Sequence, residues 1–203
     1  MSVISSVLVR ILVVIDVKAN INEQPAAAII PILMGSIPGL ATNKIPQKPT
    51  IAAPILIGVS FSERKNGAHI GIASNVIINN DGHKHFIYKD KKKEFTTPAF
   101  NFDEVTNLPI DSILLSSDNI NNVMGVSFKV GSSEITGLQY HPDYEYYQMI
   151  NLIEGRKDRL FKNKNFSTEE DYQNHISYIK SENEILNFND RSCEVGNWLN
   201  HIK

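Results

Sequence analysis

Six prolines, at positions 25, 31, 38, 46, 49 and 54, deny the first third of the chain a helix of three turns. Each removes a backbone donor and restrains the residue before it, so only loops and short extended pieces fit between them. Residues 1–60 also hold twelve isoleucines, no aromatic residue, and six charges: Arg10, Asp16, Lys18, Glu23, Lys44 and Lys48. All seventeen aromatic side chains and the other 36 charges follow from Phe61 onward. Such a break divides the chain into an atypical Pro/Ile-rich segment, 1–60, and a body, 61–203. A rearranged or shifted reading frame would produce the same break. The aliphatic side chains of the first segment lack a periodic element with which to bury themselves, which predicts a segment that is either poorly ordered or covered by a partner.

At 203 residues the chain has room for one domain, or one and a tail. A net charge of -2 gives no diffuse positive field, so nucleic acid and anionic membrane are not expected partners. The single cysteine, Cys193, cannot close an internal disulfide, and no apolar run is long enough to span a bilayer. The expected compartment is the cytoplasm. The run Val7 to Val17 carries Arg10 and Asp16 inside it, which a secretory leader tolerates poorly. Its β-rich, nearly continuous apolar character predicts a first central strand, parallel and buried on both faces.

The body reads as short strands over 69–74, 75–78, 113–115, 123–130 and 135–140, with Asn79-Asn80-Asp81-Gly82 as a turn supplying positive φ. The mixed-sign run Lys89 to Glu94 reads as a solvated loop. Asp81, His83 and His85 lack a third spaced ligand for a metal, so no metal and no cofactor is expected. From about residue 145 the period becomes helical. Met149, Ile153 and Leu160 share one face despite Gly155, Ser167-Thr168-Glu169-Glu170 forms a capping box, and Tyr172, Ile176 and Ile179 follow. Val195, Trp198, Leu199 and Ile202 predict a last helix packed by that face. Strands followed by helices indicate an α/β domain with a C-terminal helical tail.

The chemistry-bearing motif is Gly137-Leu138-Gln139-Tyr140-His141-Pro142-Asp143. A histidine at a strand end, with a carboxylate two residues on, is the general-base half of a nucleophilic triad, and Pro142 stiffens the turn between them. Taken alone, that spacing is more often a surface turn than a dyad.

The motif resembles the G-x-Q-x-H-P-E signature of class I glutamine amidotransferases, of the GMP-synthase-like, stand-alone type. Asn66 to Ala73 looks like the strand after the nucleophile region. Asn101-Phe102-Asp103-Glu104-Val105 with Leu108-Pro109 looks like H-x-D-x-V...L-P, with Asn101 as a turn variant of the histidine. Asp190-Arg191 and Asn197-Trp198-Leu199 look like the family's tail. The resemblance covers roughly 63–203 and implies a flavodoxin-like open sheet whose N-terminal half is incomplete here.

By resemblance, the reaction is hydrolysis of L-glutamine to glutamate and ammonia through a cysteine thioester, with His141 as base and Asp143, one methylene shorter than glutamate, as its orienting acid. The elbow G-x-C-x-G-x-Q has its nearest match in Gly35 to Ala41, which puts Ile37 in the nucleophile position and Pro38 where an oxyanion donor belongs. Ser36 is one residue out of register, and Cys193 lies far from any elbow. The expectation is therefore an inactive member, a pseudoenzyme, with a synthetase or a second copy as the kind of partner implied. The rival expectation is a non-catalytic binding or assembly module built on the same fold.

Overall fold

The computed structural model describes residues 12–16, 59–65, 67–130, 133–185 and 188–201. Its centre is a six-stranded sheet built from β1 (Leu12–Asp16), β4 (Ala73–Ile78), β5 (Glu94–Thr97), β8 (Ile113–Ser117), β9 (Gly125–Val130) and β10 (Ser133–Leu138). The order is β1-β10-β9-β8-β4-β5, and every described pairing is antiparallel. Two small ribbons flank it, β2 (Ser60–Glu63) with β7 (Asp103–Asn107), and β3 (His69–Ile70) with β6 (Phe100–Asn101). Helices close the chain: α1 (Tyr146–Glu154), α2 (Lys157–Lys162), α3 (Glu169–Ile185), α4 (Phe188–Arg191) and α5 (Cys193–His201). This is a mixed α/β fold with an open sheet and a helical tail, as the order of sequence patterns indicates.

The first strand corrects one expectation. β1 is not a central parallel strand: among the described residues it lies at the sheet's edge and runs antiparallel to β10, from Leu12↔Leu138 to Asp16↔Glu134. An apolar run reports that a strand is covered, and carries no information about the direction of its partner.

Alternation sets the core. In β4, Val76 and Ile78 point inward to join Leu115, Met124, Leu138, Tyr88 and Tyr140, while Ile77 is 39% exposed. The opposite face of β9 and β10 packs Val126, Phe128 and Ile135 against Val59 and Val105. A third cluster joins Ile70 and Ile72 to the helices through Tyr146, Ile150, Ile153, Leu160, Tyr172, Ile176 and Ile179. Met149, Ile153 and Leu160 are buried as their spacing requires, but Gly155 ends α1 and splits the run into two helices.

Other local features differ by a residue. The box that starts α3 is Thr168 with Asp171, each side chain accepting from the other's backbone N–H at 3.0 Å, rather than Ser167 with Glu170. The turn after β4 is made by the Asn79 side chain, whose Oδ1 accepts from the amides of Asp81 and Gly82. None of its four residues has positive φ; Gly82 is there for space, since a Cβ would come 2.1 Å from the Leu115 carbonyl.

The tail docks through polar anchors. In α5 the buried residue is Glu194; Val195 and Trp198 are half-buried, Leu199 is 46% exposed, and Ile202 lies outside the described residues. The inward face is Glu194, Asn197, Trp198 and His201, with Asn197 donating to the Ile87 and Lys89 carbonyls and His201 stacking on Phe86 at 3.8 Å. Lys91, within the run expected to be a solvated loop, is instead buried, its Nζ 2.9 Å from Glu194 Oε2.

Truncation after Asp190 therefore removes the partner of a buried ammonium as well as Trp198, and the melting temperature falls. Glu194→Leu alone lowers stability by about 3–5 kcal/mol, because Lys91 is left with an uncompensated charge. The pair Lys91→Met with Glu194→Leu recovers most of that loss in the same thermal denaturation.

Candidate active site at the end of the last strand

Beyond Leu138, where β10 ends, the backbone is held at alternate residues. The Gln139 amide donates to the Met124 carbonyl at 2.8 Å, and the His141 amide donates to Pro98 at 2.7 Å. His141 is 6% exposed and stacks on Tyr144 with ring centroids 4.8 Å apart. Its Nδ1 lies 3.5 Å from Asp143 Oδ1. The two groups expected to form the base and its acid are thus on one turn, yet separated by more than the 2.6–3.2 Å expected of a hydrogen bond. The aspartate side chain is 40% exposed. The other half of the expected site, Ser36, Ile37 and Pro38 in the Gly35–Ala41 stretch, lies outside the described residues.

Two buried polar networks hold this strand end, and neither was drawn from the sequence. On one side, Tyr140 donates to Glu194 Oε1 at 2.8 Å and lies 3.0 Å from the Tyr88 hydroxyl, which in turn meets Ser116 Oγ at 2.7 Å. Burial and the neighbouring carboxylate push the Tyr140 phenol well above its ordinary range, so it stays a donor. Gly125 makes room for this chain of hydroxyls: a Cβ there would come 2.4 Å from Tyr88 Oη and 2.7 Å from Ser116 Oγ.

On the other side Asn101 donates to the Gln139 carbonyl at 2.7 Å, and its Oδ1 accepts from Arg64 Nη2. His69 Nε2 lies 2.7 Å from Asp118 Oδ2, while Nδ1 is 3.0 Å from Asn101 Oδ1 and 3.2 Å from Arg64 Nη1. Asn121 donates to Gln139 Oε1 and completes the ring. Asn101 is therefore a buried strand residue that carries a network, not a turn variant. Burial lowers the Arg64 guanidinium from its ordinary value, against the opposing charges of Asp118, Glu104 and Asp103. Burial would raise the Asp118 carboxyl, but the hydrogen bond and charge of His69, with the amides of Ile120 and Asn121, hold it below its ordinary value.

The remaining histidines have separate duties. His85 Nε2 lies 3.2 Å from Glu134, and His175 Nε2 lies 2.6 Å from the Ile70 carbonyl. His83 is exposed on its turn. Among the described residues no helix is long and apolar enough to cross a membrane.

The chain is similar to a solved glutamine amidotransferase from Thermotoga maritima, with a TM-score of 0.52 over 73% of this chain and 56% of that one, at 19% identity. The fold is that of a glutamine amidotransferase. A second solved structure, a GMP synthase component from Thermoplasma acidophilum, aligns at a TM-score of 0.39 and 23% identity over 64% of this chain and 53% of that one. In sequence, the chain is 26% identical over 150 residues to a gamma-glutamyl-L-1-hydroxyisopropylamide hydrolase of a Pseudomonas species, covering 64% of this chain and 49% of that protein. This chain thus spans about half the length of the proteins it matches. No protein-family model matches it.

A depressed carboxyl contributes stability that is present above its unfolded-state value and lost as pH falls through the folded-state one. For Asp118 the window opens below about pH 4. Asp118→Asn keeps an Oδ1 for the Ile120 and Asn121 amides but has no charge to lose. Its urea midpoint falls less steeply than the parent's between about pH 4 and pH 2.5.

Proposed function

We propose that residues 61–203 are the C-terminal part of a class I glutamine amidotransferase-type protein that keeps the base and its acid, His141 and Asp143, but does not run the thioester reaction. The observation that carries this reading is the state of Cys193. Burial and the adjacent Glu194 push its thiol up to about 12, and its Sγ lies 3.5 Å from the Glu194 carboxylate. At neutral pH it is a protonated thiol docked in the tail, whereas attack on an amide needs a thiolate. The chain has no other cysteine. The position aligned with the nucleophile is Ile37, followed by Pro38, which has no N–H to offer an oxyanion.

The compounds to test are L-glutamine and γ-glutamyl amides: the first is implied by the motif resemblance, the second by the Pseudomonas relative's name. The kind of partner implied by the resemblance is a synthetase or a second copy, and a lone cysteine suits a reducing compartment such as the cytoplasm.

Purified chain is expected to release no ammonia from L-glutamine or a γ-glutamyl amide above a buffer control, because losing a nucleophile removes most of the rate even when its neighbours stay in place. Iodoacetamide at pH 7.5 should leave Cys193 unmodified in the native chain and modify it after unfolding. Ammonia release that disappears in His141→Ala, or capture of a glutamine-analogue electrophile at Cys193 or Ser36, would restore the active reading.

A further inference from the structure

Pro142 and Asp143 are the corners of a tight turn, closed where the Tyr144 amide donates to the His141 carbonyl at 3.2 Å. Such a turn brings its first and last residues together, which here sets an imidazole beside a phenol ring. The rings of His141 and Tyr144 are stacked, with centroids 4.8 Å apart and planes 26° from parallel. The Asp143 side chain, at the second corner, is 40% exposed, and its Oδ1 stays 3.5 Å from His141 Nδ1, beyond hydrogen-bond range.

The two contacts restrain the imidazole differently. A carboxylate that meets one ring nitrogen at that distance while wetted by solvent is screened, and the ring can tilt about a single point of contact. A stacked ring loses contact area whichever way its neighbour tilts, so it holds the whole plane. Tyr144 is also a firm support. On one side its amide is tied into the turn, whose buried Pro142 has a fixed φ. On the other, the Glu145 amide donates to Gln148 Oε1 at 2.7 Å at the start of α1, and the Glu145 carboxylate is ion-paired with Arg191 in α4. His141 has its own anchor, its amide donating to the Pro98 carbonyl.

We infer that Tyr144 is the positioning residue that sets the plane of the His141 imidazole, in place of the Asp143 carboxylate. The functional meaning of that role rests on reading His141 as the retained base, while the geometry stands without it. A stacked ring supplies direction alone, whereas a hydrogen-bonded carboxylate also chooses which nitrogen carries the proton. The histidine is thus aimed by a neighbour that does only part of an acid's work.

The test is carbon-13 relaxation of the His141 Cδ2–H bond in the full chain at a single neutral pH, with Overhauser contacts from that hydrogen to the side chain at position 144. The parent ring is expected to be rigid, with an order parameter of about 0.85 and contacts to the Tyr144 ring. Tyr144→Ala takes the order parameter below about 0.6, Tyr144→Phe restores it, and Asp143→Ala leaves it at the parent value. His175, held on the Ile70 carbonyl, is the internal control and stays unchanged throughout. A parent without those contacts, a ring that stays rigid in Tyr144→Ala, a ring that Tyr144→Phe fails to restore, or one that Asp143→Ala loosens would each overturn the inference. If Tyr144→Ala does not fold, Tyr144→Leu replaces it, filling volume without a face to stack, and the exposed Asp143→Ala variant decides by itself. Ammonia release by the parent would refute the proposed function and leave the relaxation result standing. Loosening by Asp143→Ala would do the reverse.

Discussion

The buried Glu194 carboxylate is the point on which the rest of the molecule depends. A charge removed from water is tolerated only when other groups replace the lost solvation, and here Lys91 supplies a countercharge while Tyr140 supplies a hydrogen bond. Those two donors come from different places. Lys91 lies before β5, and Tyr140 belongs to the segment that follows β10. One carboxylate thus joins the helical tail, the sheet and the strand end that carries His141. Apolar contacts beside it, such as Trp198 against the core, fill volume but do not dictate a register as a three-way polar contact does.

The strand end is therefore fixed from two sides by different chemistry. On the tail side, hydroxyls and a carboxylate hold Tyr140. On the ribbon side, Asn101, Asn121 and the Arg64–His69–Asp118 group hold Gln139. His141 lies at the meeting of the two, with its main chain donating to Pro98 and its ring stacked on Tyr144. Such support fixes the orientation of the group it holds.

Periodicity located what packs by shape. Ile153, Leu160, Tyr172, Ile176 and Ile179 fall at helical offsets and are buried because an apolar stripe has one favourable destination. The motif around His141 was legible for the same local reason: its residues are adjacent in the chain. The networks were not. Arg64, His69, Asn101, Asp118 and Gln139 are scattered over 76 positions, so only the tertiary fold brings them together. Glu194 reads as an ordinary first-turn acid, and Lys91 as one more lysine in a charged run, until the tail folds back. The direction of β1 was illegible because hydrophobicity records cover and not orientation. The α5 face shifted because its anchors are hydrogen bonds, which a count of apolar residues passes over.

The Lys91 ammonium has three protons, and three oxygens receive them: the carbonyls of Asp190 and Arg191 at 2.8 and 3.3 Å, and the Glu194 carboxylate at 2.9 Å. Every acceptor lies in the last two helices, and the lysine side chain is 4% exposed. An amine in that condition is chemically silent while the tail is seated and becomes an ordinary nucleophile the moment it lifts. Lys91 thus records in its own acylation chemistry how often the end of the chain leaves the sheet.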